Sequence, residues 1–395
     1  MDTSFVQFSS FDGKVFHNAD FKDAQFADKV TFRNAQFTGR TDFRGAKFKG
    51  AGDFTGARFQ GAVDFSGADF NHDAHFSEAE FGDSNFSNVT FHAWALFNKS
   101  RFESGMTFQG ASFRGSANFT GVDFATDADF RKARFIAYAH FSDAVFHGKA
   151  LFGGTSLECK TIFRTAKFLK EADFSDACFT HPVNFSSAEF AAAAIFDRVT
   201  FLQFVDFKDA HVKDAFVLSP PQDLGSALPR LRFAGSEGLA PEIRFESVNL
   251  AQPDKVSFSN ISFERITLMG TNLAGIRFEN PRWPLKGLLN STKRAVVFDE
   301  IQKDKPDPQK LAQLYKDIRT NLKKAGTTRD LGDLFYSEME VRRKERRGEN
   351  DSLYFLRRYF SPYTLFWITC GYGQRPLRVI AAITLAGAVF WSIRP

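Results

Sequence analysis

Histidine and carboxylate side chains are the residues of this chain that could perform acid–base or metal chemistry. All eight histidines lie within residues 1–216 at scattered positions, and the closest pair, His72 and His75, is too loose for a zinc site. The carboxylates are more regular, because many stand directly before a phenylalanine: Asp20, Asp42, Asp53, Asp64, Asp69 and Asp129. Cations occupy the same position in other repeats: Lys47, Arg58, Arg101 and Arg134. We therefore predict stacked surface charges of interleaved sign rather than catalytic or metal-binding residues.

Cysteine and motif content agree with this prediction. Cys159, Cys178 and Cys370 are the three cysteines, and they form no CxxC pair or metal-ligand spacing. Such usage is typical of a reducing compartment. The sequence contains no phosphate-binding loop, nucleophile elbow or HExxH motif. We predict that the chain is not an enzyme and binds no cofactor.

Phenylalanine supplies the dominant pattern, between Phe5 and Val212. A large apolar residue recurs at spacings of five and six, and 37 of 39 such positions are Phe, with Leu157 and Val212 as the exceptions. A small residue, often Ala, usually stands two positions earlier, as in Ala57 and Ala68. We predict a structural ladder whose members include Phe43, Phe48, Phe54, Phe59, Phe65, Phe70, Phe119, Phe124, Phe130 and Phe135.

The spacing of five and six residues excludes both a continuous helix and a long flat strand. In a helix, a five-residue step places neighbouring phenylalanines roughly 140° apart, whereas an apolar stripe needs spacings of three and four. In a flat strand, an odd spacing would send successive phenylalanines to opposite faces. The chain must therefore bend once per repeat, as a coil of short strands with Gly or Asp at the corners.

The ladder, with Phe at the centre of each repeat and Ala two residues before it, resembles the Phe-centred variant of the pentapeptide repeat family over about residues 5–283. The resemblance implies a mainly β fold, a right-handed quadrilateral β-helix with 22 residues per turn. The 39 ladder positions would then make nearly ten coils. Phe76, Phe81, Phe86 and Phe91 are spaced by five throughout, which predicts an extra face that shifts the longer corners by one side.

The remaining pattern divides the chain into further segments. We predict the β-helix over 1–216, an irregular excursion rich in Pro and Gly over 217–255, and further coils over 256–284. Leu311, Leu314, Tyr315, Ile318 and Leu322 fall on one helical face and open a predicted helical hairpin over 308–347. The hairpin is expected to cover the last strand of the β-helix, whose amides would otherwise lack partners.

Aromatic and basic residues dominate the C-terminal part, as they do at bilayer interfaces. We predict interfacial helices over 350–373 and a transmembrane helix over 376–393, of marginal length. The predicted membrane-interface residues are Arg342, Arg343, Arg346, Arg347, Arg357, Arg358, Trp367, Arg375 and Arg378. Residues 1–216 carry a net charge of −4 and the remainder +9, which predicts a single-pass protein of the cytoplasmic membrane with its N-terminal rod in the cytoplasm.

Residues 308–395 also resemble membrane-linked pentapeptide repeat proteins in which the solenoid precedes transmembrane helices. The main functional prediction is a non-enzymatic, membrane-anchored scaffold or interaction module. Its expected partners are membrane lipid and an unknown protein, with a homo-oligomer formed through the N-terminal end of the β-helix or through the membrane segment. One alternative is the regulatory domain of a truncated ion-channel-like or effector protein. Another, implied by the family, is mimicry of DNA toward gyrase, which a rod of net charge −4 disfavours, so nucleic acid is not an expected partner.

Overall fold

The protein folds as a parallel β-solenoid of about 11 turns, followed by two helices. This computed structural model describes residues 9–220, 242–287, 293–302, 306–328 and 330–345, together with Thr384. The strands form four parallel sheets, one on each face of the solenoid, and within each sheet they pair in the order of the chain. We call these sheets faces 1 to 4, in the order in which the chain visits them within one turn.

Faces 1 and 3 lie opposite each other in the turn. The strands of face 1 are Ser9–Ser10, Val30–Thr31, Gly52–Asp53, Ala74–His75, Ala95–Leu96, Ala117–Asn118, Tyr138–His140, Lys160–Ile162, Val183–Asn184, Val205–Asp206, Ile243–Arg244 and Ile266–Thr267. The strands of face 3 are Thr41–Asp42, Val63–Asp64, Ser84–Asn85, Met106–Thr107, Ala128–Asp129, Ala150–Leu151, Ala172–Asp173, Ala194–Phe196, Phe216–Leu218, Val256–Ser259 and Arg277–Glu279.

Faces 2 and 4 complete the turn. The strands of face 2 are Val15–Phe16, Gln36–Phe37, Arg58–Phe59, Glu80–Phe81, Arg101–Phe102, Asp123–Phe124, Val145–Phe146, Lys167–Phe168, Glu189–Phe190, His211–Val212 and Asn249–Leu250. The strands of face 4 are Gln25–Phe26, Lys47–Phe48, Asp69–Phe70, Thr90–Phe91, Ser112–Phe113, Arg134–Phe135, Ser156–Leu157, Cys178–Phe179 and Thr200–Phe201.

Two kinds of corner join these strands. At most of the five-residue spacings, though not at that from Phe81 to Phe86, a residue in the left-handed region reverses the chain, such as Gly56 at φ +66° and Gly67 at φ +65°. Glycine has no Cβ to clash there, and Asn34 and Asp143 take the same conformation at φ +54° and +57° in other turns. The six-residue spacings form the wider corners. This alternation is the physical origin of the five-and-six rhythm in the sequence.

The ladder phenylalanines fill the interior of the solenoid. Rings on the same face stack from coil to coil, as in Phe48 over Phe70, whose centroids lie 4.3 Å apart at an interplanar angle of 3°. Rings on different faces meet edge to face, as in Phe43 and Phe54 at 5.6 Å and 88°. Both geometries are favourable for aromatic pairs. The ten phenylalanines named above are all at most 1% exposed.

The run of five-residue spacings has a simpler explanation than the extra face predicted from it. The corner between Phe81 and Phe86 is one residue shorter than its equivalents, yet Ser84–Asn85 still pairs in register with Val63–Asp64 and with Met106–Thr107. The prediction of a shifted side is therefore wrong. The shorter corner still makes its coil-to-coil hydrogen bonds, from Gly82 N to Phe59 O at 2.7 Å and from Val63 N to Asp83 O at 2.8 Å, so it loses a residue without moving the strands on either side.

The predicted excursion over 217–255 is too long. Phe216–Leu218 extends face 3, and Ile243–Arg244 pairs in parallel with Val205–Asp206 on face 1. Asn249–Leu250 likewise continues face 2. Ile243 takes the position usually held by Ala and Leu250 takes that of a ladder Phe, which weakened the sequence signal there. Residues 221–241 lie outside the described part of the chain.

Two helices pack at the C-terminal end of the solenoid: α1, Pro308–Lys324, and α2, Leu331–Glu345. Asp307 caps α1 by accepting a hydrogen bond from the Gln309 amide at 2.9 Å. The apolar face of α1 is buried in the same hydrophobic cluster as the ladder residues. Before the helices, Leu285–Lys286 and Arg294–Ala295 form a small antiparallel pair, and short 3-10 turns span Pro253–Lys255 and Phe298–Glu300.

The predicted single-pass membrane localisation is contradicted. Across the described residues, the structure contains no helix both long and apolar enough to cross a membrane. Helices α1 and α2 have 17 and 15 residues, and each carries charged residues along its length. The predicted interfacial segment 350–373 and the predicted transmembrane helix 376–393 lie outside the described residues, apart from Thr384.

Candidate interaction surfaces

The carboxylates that precede ladder phenylalanines hold turns together. The Asp64 Oδ1 atom accepts a hydrogen bond from the Ser66 amide at 2.9 Å, and the same contact to the residue two positions on recurs in other coils. It is made by Asp20, Asp42, Asp53, Asn85, Asn118, Asp129, Asp173, Asn184 and Asp206. Asp and Asn share this role because each offers a side-chain oxygen at the right reach. These residues are turn formers, not candidates for acid–base catalysis.

Asp53 is the most enclosed of these carboxylates, with a side chain only 3% exposed. Burial alone would raise the pKa of Asp53, but hydrogen bonds from Thr55 and from the Arg33 guanidinium outweigh it and hold the pKa below its usual range. The Arg33 Nε atom lies 2.6 Å from Asp53 Oδ2. A group that is ionised and fully hydrogen-bonded has little capacity left for catalysis or metal binding.

Face 2 carries a charge ladder whose signs alternate. Arg58, Glu80, Arg101 and Asp123 occupy equivalent positions in consecutive coils and lie side by side in register. The Arg58 Nε and Glu80 Oε2 atoms are 3.3 Å apart, and Arg101 Nε lies 3.6 Å from Asp123 Oδ2. Lys167, Glu189 and His211 repeat the pattern further along. These charges are compensated within the chain, which leaves little net field for a partner.

Face 1 differs, because six consecutive outward positions carry no Asp, Glu, Lys or Arg. We call this set the neutral stripe, and it consists of His75, Leu96, Asn118, His140, Ile162 and Asn184. Five coil-to-coil steps of about 4.8 Å make it about 24 Å long. All six side chains are partly exposed. No other face has an uncharged run of this length among its described outward positions.

Two aromatic residues widen the neutral stripe. Trp94 and Tyr138 stand two residues before Leu96 and His140, so strand alternation places them on the same side. Trp94 is 53% exposed, the highest value for any Phe, Trp or Tyr in the described chain. The Tyr138 and His140 rings meet at 5.6 Å. The equivalent positions beside His75 and Ile162 carry Asp73 and Lys160, so charges flank the stripe at two points. Exposed aromatic and aliphatic groups with charges at the edge have the composition of an interface core and its rim.

The titratable side chain in the middle of the stripe, His140, is uncharged near neutral pH. Burial lowers the pKa of His140, against a smaller opposite effect of Asp143, so the imidazole is neutral at pH 7. His140 Nε2 is 2.8 Å from the Ser142 hydroxyl. Burial also raises the pKa of the Cys159 thiol, behind this face, to about 11, which keeps it protonated.

Two histidines elsewhere on the solenoid pair with single carboxylates, whereas His17 contacts the Thr38 hydroxyl and His181 that of Thr180. His92 Nε2 lies 2.8 Å from Asp69 Oδ1, and His147 Nε2 lies 3.0 Å from Asp123 Oδ1. His72 and His75 are not brought together with further ligands. In the part of the chain that the structure describes, no group of three or more His, Cys, Asp or Glu residues is placed to hold a metal ion.

The C-terminal end of the solenoid is closed by two buried polar side chains. Asp299 accepts hydrogen bonds from the Leu268 amide at 3.0 Å and from the Met269 amide at 2.9 Å. Asn321, on α1, accepts one from the Gly275 amide at 3.0 Å and donates one to the Leu273 carbonyl. Asp299 is 3% exposed and Asn321 is 5% exposed. Both replace partners that a further coil would have supplied.

A second polar cluster anchors the hairpin. Glu300 accepts hydrogen bonds from Arg294 at 3.0 Å, from Lys286 at 2.9 Å and from the Tyr315 hydroxyl. Burial would raise the pKa of Glu300, but Arg294 and these donors lower it overall. Ser337, on α2, donates to the Ala295 carbonyl at 3.0 Å. The hairpin is therefore tied to the solenoid by charge as well as by apolar packing.

The predicted membrane-interface residues that can be placed lie in the hairpin. Arg342 Nε lies 3.0 Å from Glu338 Oε1, and Arg343 Nη2 lies 3.0 Å from Glu340 Oε2. These two arginines are thus engaged in ion pairs on α2. The other seven lie outside the described residues: Arg346, Arg347, Arg357, Arg358, Trp367, Arg375 and Arg378.

Sequence reasoning missed the neutral stripe, Asp299 and Asn321. The stripe draws on residues about 22 positions apart, so it becomes visible only when outward positions are sorted by face. Asn321 left a signal, because it is a polar residue beside Ile318 and Leu322 on the apolar side of a helix. Asp299 left a similar one, as a carboxylate directly after Val296, Val297 and Phe298.

Comparison with known proteins identifies the repeat. The family model described as "Pentapeptide repeats (9 copies)" matches residues 11–58, 54–101, 97–145, 108–156 and 141–189. No curated protein matches the chain. Among solved structures, trypsin-treated QnrB1, a plasmid-mediated fluoroquinolone resistance protein, matches with 15% identity over 70% of this chain and 90% of that one. Its TM-score of 0.12 is too low to support an argument about fold or function.

Proposed function

Because the chain is a pentapeptide repeat protein with Phe-rich repeats, we propose that it acts as a non-enzymatic scaffold that binds a protein partner through the neutral stripe. The observation that carries this proposal is the contrast between faces 1 and 2. The charges of face 2 are satisfied within the chain, whereas face 1 exposes Trp94 and partly exposed apolar groups over six coils.

A protein partner suits the stripe better than a charged ligand does. The stripe is flat, uncharged and about 24 Å long, which matches the size of an interface core rather than that of an enclosed small-molecule pocket. Nucleic acid would need clustered cations, and these six positions supply none. The partner should therefore present an apolar surface of similar length. Trp94 is the expected anchor residue, because exposed tryptophans commonly dominate binding energy.

A photo-crosslinking experiment tests the proposal. A photoreactive amino acid replaces Asn118, at the centre of the stripe, and products formed in the native cells are identified by mass spectrometry. We expect a discrete protein adduct that falls at least about tenfold in the Trp94→Asp/Ile162→Asp variant, because hot-spot residues commonly contribute about 2 kcal/mol or more.

The matched control is Val145→Asp, which makes the same kind of change at a partly exposed outward position of face 2. It should leave the adduct unchanged. Equal loss of the adduct in both variants, or no loss in the stripe variant, would refute binding through face 1.

A further inference from the structure

The closed C-terminal end contains groups that reproduce the hydrogen bonding of a further coil. On face 1, each ladder amide donates to the next coil, as in Phe207 N to Arg244 O at 2.8 Å and Phe245 N to Thr267 O at 2.9 Å. Leu268 holds the same position in the last coil, where no strand follows. Its amide donates to the Asp299 carboxylate instead. The carboxylate thus stands where the next backbone carbonyl would be.

Face 2 ends in the complementary way. Along this face, ladder carbonyls accept from the next coil, as in Phe190 O from Lys213 N at 2.8 Å and Val212 O from Ala251 N at 2.9 Å. Leu273 is the last ladder residue on this face, and its carbonyl accepts from the Asn321 side chain. The same carboxamide accepts from the Gly275 amide, so it serves as donor and acceptor like a peptide group.

Apolar packing by the hairpin also takes the place of a further coil. Leu268, Leu273, Phe278 and Trp283 form the last layer of the core, each at most 5% exposed. They belong to the same hydrophobic cluster as Leu311, Leu314 and Ile318 of α1. Whatever replaced the hairpin would have to offer an apolar layer together with backbone groups at the spacing of a coil. Another solenoid end of the same protein meets both requirements.

We propose that Asp299 and Asn321 form an autoinhibitory cap that keeps the C-terminal edge of the solenoid from pairing with a second copy of this chain. An open parallel edge offers unpaired N–H and C=O groups to any strand of matching register. The cap satisfies the hydrogen bonds of these groups with side chains, and a side chain cannot continue the sheet. Release of the cap converts a closed end into an assembly surface.

The test uses the full chain with Asp299→Ala/Asn321→Leu, which removes the side-chain partners of Leu268, Met269, Leu273 and Gly275, and Thr320→Val as the matched control on the exposed side of α1. Hydrogen exchange at low protein concentration reports the amides of Leu268, Met269 and Gly275. We expect at least tenfold faster exchange there in the cap variant, while Phe119 and Phe130, in the middle of the solenoid, stay protected. Sedimentation velocity at rising concentration should then show species of twice the mass or more, with the edge amides protected again.

The control variant should remain at the mass of the wild-type protein at every concentration. Fast edge exchange without any increase in mass would overturn the proposal, since an open edge would then attract no second copy. Unchanged edge exchange would overturn it as well, because the two side chains would not be what closes the edge. Loss of protection at Phe119 would show that the cap is required for folding and is not a local device.

Discussion

At the scale of single residues, the Asp or Asn before a ladder phenylalanine acts through its oxygen and not through its charge. Asp64 illustrates this, because its Oδ1 atom accepts the Ser66 amide at 2.9 Å while the Arg44 Nε atom is 4.0 Å from Oδ2. A turn hydrogen bond at this distance is well formed, whereas a partly exposed ion pair at 4.0 Å contributes little.

Substituting Asp64 separates these two contributions. Asp64→Ala should lower the free energy of unfolding by about 1 kcal/mol, because the Ser66 amide loses its acceptor. Asp64→Asn retains the acceptor and should remain within about 0.5 kcal/mol of wild type. Chemical denaturation followed by circular dichroism measures both. If the Asn variant proved as unstable as the Ala variant, the charge of Asp64 and not the turn would be the stabilising feature.

At the scale of elements, the cap at the end of the solenoid responds to pH through Asp299. Burial raises the pKa of Asp299 to about 6; the amides of Leu268 and Met269 oppose this effect, and Glu246 adds to it. A carboxyl group whose folded-state pKa is raised contributes stability that is fully present below its unfolded pKa near 3.8 and is lost as pH rises through about 6. The cap should therefore be tighter at mildly acidic pH.

The measurement compares wild type with Asp299→Asn, which keeps an acceptor oxygen but does not titrate. As pH falls from 7.5 to 4.5, the free energy of unfolding of wild type should gain about 2 kcal/mol relative to the variant, since each pKa unit corresponds to about 1.4 kcal/mol. Other titrating groups cancel in this difference. A difference that grows as pH rises would mean that the two amide donors prevail over burial.

At the scale of the whole molecule, the solenoid is one-dimensional, because each coil contacts only its neighbours. Phe130 lies at the middle of the stack, 5.3 Å from Phe108 and 4.9 Å from Phe152. A disruptive substitution at Phe130 would separate two halves of the solenoid, and each half could remain folded. The position of a core change along the rod therefore determines how unfolding proceeds.

Replacing Phe130 with Asp tests this one-dimensional behaviour. The new carboxylate would be buried without a partner in the space of a lost ring, at a cost of more than about 4 kcal/mol. Thermal unfolding should start at a lower temperature and broaden or split into two transitions. Asn118→Asp, one position before Phe119 but on the outside, is the control and should unfold like wild type. A single sharp transition in both variants would contradict the stacked core.

The sequence predicted the repeating architecture because each coil repeats the same local physics. A ladder position, a small residue two positions earlier and a turn residue recur every five or six positions. A coil whose pattern is weak can therefore be assigned from the coils on either side of it. The same logic failed at Phe81–Phe86, where a shorter corner mimics a change of face, and at 243–250, where Ile and Leu replace the ladder signature. The cap residues act once and far apart in sequence, so no period could reveal them.

The neutral stripe also determines what can be learned from fragments of this protein. Each of its six residues comes from a different coil, and neighbours on the surface are separated by about 21 or 22 positions in the chain. A synthetic peptide carries at most one of them in its native setting. The surface is thus discontinuous in sequence, so peptide arrays and short sequence motifs would miss the proposed partner, and binding assays need the intact solenoid.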